Sequence, residues 1–169
     1  MISQKLEKAL NKQLNYELYS AYLYFSMKAY FAKSAWCGFR QWMCVQAHEE
    51  IEHAMGIYHY LIERCGTVEL EPIEKPEHDW TDTLAVFEHA YNHEKSVTAR
   101  INELFDIMEE EKDRAALSFL DWYLKEQVEE ERNAKVILEK LRYISDDKTA
   151  LMMLNDDLMK REIKKHDIK

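Results

Sequence analysis

Gln46-Ala47-His48-Glu49-Glu50-Ile51-Glu52-His53 holds the key to the architecture. Glu50 and His53 lie three residues apart, so on a helix they share one face. Glu17 stands 33 residues before Glu50, and Glu94 stands 33 residues before Gln127 in a related stretch, Glu126-Gln127-Val128-Glu129-Glu130-Glu131. The offset from Glu17 to Glu94 equals that from Glu50 to Gln127. All these side chains fall where the apolar stripe of a helix belongs. The spacing predicts two helical hairpins facing each other, each holding its lone Glu level with its paired motif, Glu50-x-x-His53 or Gln127-x-x-Glu130.

Apolar positions on either side agree. Ser3 is placed to cap a first helix to about Lys33, with the stripe Leu6, Leu10, Gln13, Glu17, Ala21, Tyr24 and Phe31. Ser34 is the expected cap of a second, with Phe39, Met43, Gln46, Glu50, His53, Ile57 and Tyr60, ending at Gly66 as its C′ residue. Residues 67–80 carry both prolines, Pro72 and Pro76, and read as a long connection. Thr81 or Thr83 would cap a third helix with Leu84, Phe87, Tyr91, Glu94, Thr98, Ile101, Phe105 and Met108. After a turn at Glu111-Lys112-Asp113, a fourth carries Leu117, Leu120, Leu124, Gln127, Glu130, Ala134, Ile137 and Leu141. Ser145 would cap a short fifth helix through about Met159, and the polar tail 160–169 is expected to fray. Four helices of this size would each be about 45 Å long. The middle connection can cross the bundle from end to end. The expectation is a single all-α domain over 1–169, a four-helix bundle at about 4–143 with one crossover and a fifth helix at about 146–159.

Composition agrees. The chain has 3 Gly and 2 Pro in 169 residues, too few for many turns, and 47% hydrophobic residues, enough for a core. A net charge of −9 argues against a nucleic-acid partner and favours cations. Cys37 and Cys44, about 10 Å apart along one helix, cannot pair. With Cys65 they read as reduced thiols in a cytoplasmic protein. The opening Met1-Ile2-Ser3-Gln4-Lys5 gives no expectation of a signal peptide, and no apolar run is long enough to span a membrane.

The carboxylates point to a metal. Glu17, Glu50, Glu94 and Glu130 are expected at one depth of the core, and no Lys or Arg shares their stripes; Lys28 and Arg64 lie at least a turn away. Isolated buried carboxylates take up protons rather than stay charged. A hydrogen-bonded polar layer is the alternative, but a pair of divalent cations resolves the problem directly. Carboxylates with one imidazole suit iron or manganese better than structural zinc. Many anionic oxygens with few neutral nitrogens favour the ferric state. Glu50 is placed to bridge two ions, and Glu49, Glu126 and Glu129 form an adjoining acidic set that by itself reads as a solvated face. His89 and His93 read as neighbours on an exposed face. Tyr24, two turns after Glu17, and Trp122, five residues before Gln127, are either core packing or oxidisable side chains near the metal.

At these residues the chain resembles a bacterial non-haem ferritin over nearly its whole length. The motifs are Asn15-Tyr16-Glu17-Leu18-Tyr19-Ser20, Glu49-Glu50-x-x-His53, His93-Glu94, Asn102-Glu103-Leu104 and Phe119-Leu120-x-Trp122-Tyr123-x-x-Glu126-Gln127-x-Glu129-Glu130-Glu131. The resemblance implies a ferritin-like fold with Glu17, Glu50 and His53 at a first iron site. It implies Glu50, Glu94 and Glu130 at a second, with Gln127 beside it, and Glu49, Glu126, Glu129 and Glu130 at a third. It gives Tyr24 a hydrogen-bonded place near the site. It further implies a 24-subunit homo-oligomeric cage storing ferric oxyhydroxide, with Leu151, Met152, Leu154, Leu158 and Met159 packed about four-fold axes. Haem is not expected, because Ile51 stands where haem-carrying relatives have Met. Rubrerythrins add a cysteine-rich iron domain, which this chain lacks. Leu117 and Leu120 replace the acidic lining of the animal iron channel.

Three functions follow: a ferroxidase and iron store using dioxygen or hydrogen peroxide, a peroxide scavenger on the same fold, or a helical bundle without redox metal.

Overall fold

A computed structural model describes residues 2–163. Five helices follow one another: α1 (Gln4–Ala32), α2 (Cys37–Glu63), α3 (Thr83–Glu110), α4 (Arg114–Ile144) and α5 (Lys148–Leu158). The first four form the expected bundle, with α1 against α2 and α3 against α4 as tight hairpins. The fifth packs chiefly on α2.

Caps fix the helix ends. Ser3 caps α1 as expected, accepting from the Leu6 amide at 3.1 Å. Asp82, between the two threonines anticipated, caps α3; Asp113 caps α4 and Asp147 caps α5. Ser145 instead ends α4, with φ at +49°. The left-handed residue after α2 is Cys65 (φ +57°) rather than Gly66, whose amide donates to the Leu61 carbonyl at 2.8 Å in a Schellman closure. A Cβ at Gly66 would come within 3.0 Å of Glu7 Oε2 and 3.2 Å of Ile2 Cγ2, so those side chains would have to shift to admit it.

The start of α2 departs from expectation. Ser34 turns back to donate to the Phe31 carbonyl, and the N-cap residue Trp36 makes no side-chain cap. Asn155 of α5 supplies it: its Oδ1 accepts from the Gly38 amide at 2.8 Å and the Phe39 amide at 3.4 Å. Helix N-termini leave amides unsatisfied, and any nearby acceptor can serve. Gly38 permits the approach, since a Cβ there would lie 1.6 Å from the Asn155 carbonyl oxygen.

The crossover runs along α1 and is pinned by side-chain amides. Asn11 donates to the Thr67 carbonyl (2.8 Å) and accepts from the Glu69 amide (2.7 Å); Asn15 repeats this with Glu69 and Glu71, both at 2.8 Å. Farther up, Ser26 donates to the Glu77 carbonyl and Trp80 meets the Tyr30 ring edge-on. Backbone that would otherwise lie on the surface without partners is thereby satisfied.

The apolar core has two lobes. One gathers Leu23, Met27, Phe31, Phe39, Met43 and Phe87 with Ile137 and Leu141. The other gathers Leu6, Leu10, Ile57, Leu61, Ile101, Met108, Leu120 and Tyr123. Burying each Leu, Ile, Met or Phe contributes about 1.5–3 kcal/mol. Between the lobes lies a belt of buried polar side chains. The buried face of α3 is broader than the predicted stripe: Val86, Ala90, His93, Val97 and Leu104 are buried, while Leu84, Tyr91 and Phe105 are only partly so.

Replacing Gly38 with Ala is expected to lift α5 off α2. Amide hydrogen exchange across Lys148–Leu158 should accelerate while α1, α3 and α4 keep their protection. Asn155→Ala, which removes the cap, should lower stability by about 1 kcal/mol in denaturant unfolding.

Candidate metal centre

The polar belt is where the four anticipated carboxylates meet. Glu17 (1% exposed), Glu50 (1%), Glu94 (0%) and Glu130 (2%) are contributed by α1, α2, α3 and α4 in turn. Each replaces an apolar residue in its helix stripe, so the packing that buries the lobes also buries the acids.

One half of the belt converges. Glu17, Glu50 and His53 each offer a donor atom, and these atoms lie within 4.8 Å of one another. His53 Nδ1 is 3.5 Å from Glu50 Oε2. Gln13, one turn before Glu17, donates to Glu17 Oε1 at 2.8 Å. That leaves Glu17 Oε2, like Glu50 Oε2, buried with no hydrogen-bond partner among the described residues. Buried carboxylate oxygens without donors are costly, and they turn toward the same small space.

The other half is held by hydrogen bonds. Tyr24 donates to Glu94 Oε1. The Gln127 amide nitrogen lies 3.3 Å from the Glu94 carbonyl, from Glu94 Oε2 and from Thr98 Oγ1. Gln46 donates to Glu130 Oε2 at 2.8 Å. Glu94, Gln127 and Glu130 are each held by a neighbour, and the charges of Glu94 and Glu130 reach Glu50 in the first trio.

Aromatic groups wall the belt. Trp122, which the sequence placed less directly, packs edge-on against the His53 ring at 5.4 Å, and Tyr123 donates to the His53 carbonyl at 2.7 Å. His93 is buried, not exposed as read from the sequence: Nε2 is 2.8 Å from Ser20 Oγ and the ring stacks on Tyr16 at 5.4 Å. His89 is turned toward Trp80, whose Nε1 donates to it. The Arg100 guanidinium caps Tyr16 at 3.9 Å, and its charge reaches Glu17.

The third acidic set is divided. Glu49 is buried and Glu130 belongs to the belt, whereas Glu129 is exposed and Glu126 intermediate. The tail expected to fray begins docked: Arg161 donates to Glu49 Oε2 at 2.6 Å and lies over the Trp42 ring. Residues 164–169 of that predicted tail lie outside the described residues. Arg161 escaped the sequence reading because a polar tail has no periodicity from which docking can be read. Gln13 and Gln46 stood on the predicted stripes, but spacing alone gave them no role. Cys37, Cys44 and Cys65 are free thiols.

Burial sets the protonation of the belt. It raises Glu17, Glu50 and Glu130 above the usual carboxylate range, with Glu94 adding to the last two, and pushes Glu94 up to about 7. Burial also raises Tyr24, which stays a donor, and lowers His93 to about 4, so its ring is neutral.

A carboxyl whose folded pKa is raised stabilises the fold below its unfolded pKa, and that stability is lost as pH rises through the folded value. His93, with a depressed pKa, acts oppositely: its contribution is present above about 6.5 and lost as pH falls toward about 4. The cation-free protein should therefore melt at a lower temperature at pH 8 than at pH 6. A divalent cation should reverse that order and release protons on binding. Thermal unfolding with and without cation, and calorimetry in buffers of different ionisation heat, measure both.

Comparison with known proteins agrees with this fold. The family model for the ferritin-like domain matches residues 7–144. A bacterial non-heme ferritin of Bacteroides fragilis is 40% identical over 146 residues, covering 86% of this chain and 92% of the relative. One from Staphylococcus aureus is 37% identical over 158 residues, covering 94% and 95%. Among solved structures, an open pore ferritin from the hyperthermophilic archaeon Archaeoglobus fulgidus superposes with a TM-score of 0.94 at 50% identity, covering 95% of this chain and 98% of that one. A humanized archaeal ferritin gives 0.96 at 48% identity, covering 98% and 100%. With a matching bundle, a matching fifth helix and a family model spanning most of its length, the chain belongs to the ferritin family.

Proposed function

We propose that this protein is an iron-storage ferritin that oxidises ferrous iron at paired sites in the middle of its bundle. The observation that carries this reading is the convergence of Glu17, Glu50 and His53 in a buried layer holding four carboxyl groups. In this reading Glu17, Glu50 and His53 hold one ferrous ion. Glu50, Glu94 and Glu130 hold the second, with Gln127 beside it. Glu49, Glu126, Glu129 and Glu130 take a third.

Iron is the substrate. Each ferrous ion gives up one electron, and dioxygen or hydrogen peroxide accepts the pair. The protein's part is to replace water around the ions with fixed oxygens, which favour the higher charge. Gln13 and Gln46 orient Glu17 and Glu130, and such supports typically contribute 10–100-fold to metal affinity. Tyr24, donating to Glu94, holds that carboxylate in place and puts an oxidisable phenol beside the site.

Storage requires a shell. Tyr143 is 90% exposed, Val128 72% and Met153 70% in the single chain. Apolar side chains this open suit contact with further copies, and a 24-subunit cage is the assembly we assign. No described helix is long and apolar enough to cross a membrane. We assign the protein to the cytoplasm and expect neither haem nor nucleic acid as a partner.

Glu50→Ala should lower the initial rate of iron oxidation by about a hundredfold or more while the shell still assembles. Stopped-flow absorbance with light scattering tests this, and an unchanged rate in an assembled variant would end the assignment. Iron loading separates storage from peroxide scavenging. A store should take up far more iron in air than its binding sites can hold, whereas a scavenger should stop near site occupancy.

A further inference from the structure

The acidic cluster next to the belt already holds a cation of the chain's own. Glu49 is 5% exposed, and a carboxylate so buried needs a positive partner. Arg161 supplies one at 2.6 Å. The guanidinium and the arm that carries it are held by three contacts. The guanidinium lies 4.9 Å from the Trp42 ring centre. Gln41 donates to the Arg161 carbonyl at 2.9 Å. Nearly two turns earlier, Asn155 locks α5 to the start of α2. The neighbouring Lys160 pairs with Asp157 at 3.2 Å.

The pairing is built to be exchanged. Among the described residues, Arg161 binds Glu49 through Nη2, and its Nη1 is buried without a hydrogen-bond partner. A guanidinium engaged through one edge atom forgoes the bidentate geometry that makes arginine–carboxylate pairs strong. Beside it lies a cavity of about 430 Å³ lined by Glu49, Glu126, Glu129, Glu130 and Asn133 together with the C-terminal arm. A divalent ion ligated by Glu49 and its acidic neighbours would compete for the carboxylate that Arg161 occupies and would be repelled by its charge at close range.

We propose that Arg161 is a tethered counter-ion. It occupies the Glu49 cluster when no divalent cation is there and withdraws when one loads, so the C-terminal arm sets the cluster's affinity. This rests on the ferroxidase reading for the identity of the cation. It adds a residue, and a moving segment, that the ligand set does not contain.

The test is anaerobic titration calorimetry with ferrous iron on the intact wild-type, Arg161→Gln and Arg161→Lys proteins, with assembly checked by size exclusion. Arg161→Gln should tighten the weakest of the three binding phases by about tenfold and leave the two tighter ones unchanged. Arg161→Lys, which keeps the charge, should fall between. A second readout needs no variant. The Met159, Lys160 and Arg161 amides donate to the Asn155, Asp157 and Leu158 carbonyls within a turn that Gln41 and Arg161 hold against α2, so their hydrogen exchange reports whether that turn stays formed when the arm withdraws. Exchange over residues 158–163 of the wild type should speed up at ferrous saturation without oxygen. Two tight phases with an unchanged third in Arg161→Gln, or an arm equally protected with and without iron, overturn this proposal alone. Absence of the tight phases from the wild type overturns the ferroxidase reading and this proposal together.

Discussion

Four carboxyl groups buried at one level of a helical bundle are the constraint on which this molecule depends. The polar belt splits the hydrophobic core into two lobes. Each lobe is packed well enough to hold the helices together, and the belt sits where it cannot escape to water. Two answers to the electrostatic problem are visible in the fold. Burial raises the acids so that protons can neutralise them, and neighbouring amides and a phenol orient them. In the function proposed above, a cation would replace the protons in the same space and so couple folding, pH and metal binding.

The two hairpins solve the problem differently. Position by position, Glu50 corresponds to Gln127 and His53 to Glu130. Gln46 on α2 reaches Glu130 on α4, while Tyr123, at the corresponding place on α4, reaches back to His53. The scaffold keeps its two-fold logic while the donors do not. One side offers imidazole and carboxylates with oxygens left without donors; the other offers carboxylates tied to Tyr24 and Gln127. Two ions bound here would meet unlike environments.

The fifth helix extends this logic beyond the bundle. Asn155 closes the start of α2, Gly38 makes room for it, and the chain continues to lay Arg161 across Trp42 onto Glu49. The cap of one helix therefore positions a charge beside the carboxylates of the same helix about three turns later.

The sequence by itself determined the class of fold and the depth of the acids. Helical periodicity survives in a linear string, and equal spacing before Glu50-x-x-His53 and Gln127-x-x-Glu130 leaves few arrangements other than facing hairpins. Those are local or repeat-related signals. Tertiary structure alone decided which groups complete them. Asn155 rather than Ser34 caps α2, His93 lies inside rather than out, and Arg161 meets Glu49 across 112 residues. Each of these depends on how close two distant segments come and at what angle, and no pattern of neighbours along the chain carries that information.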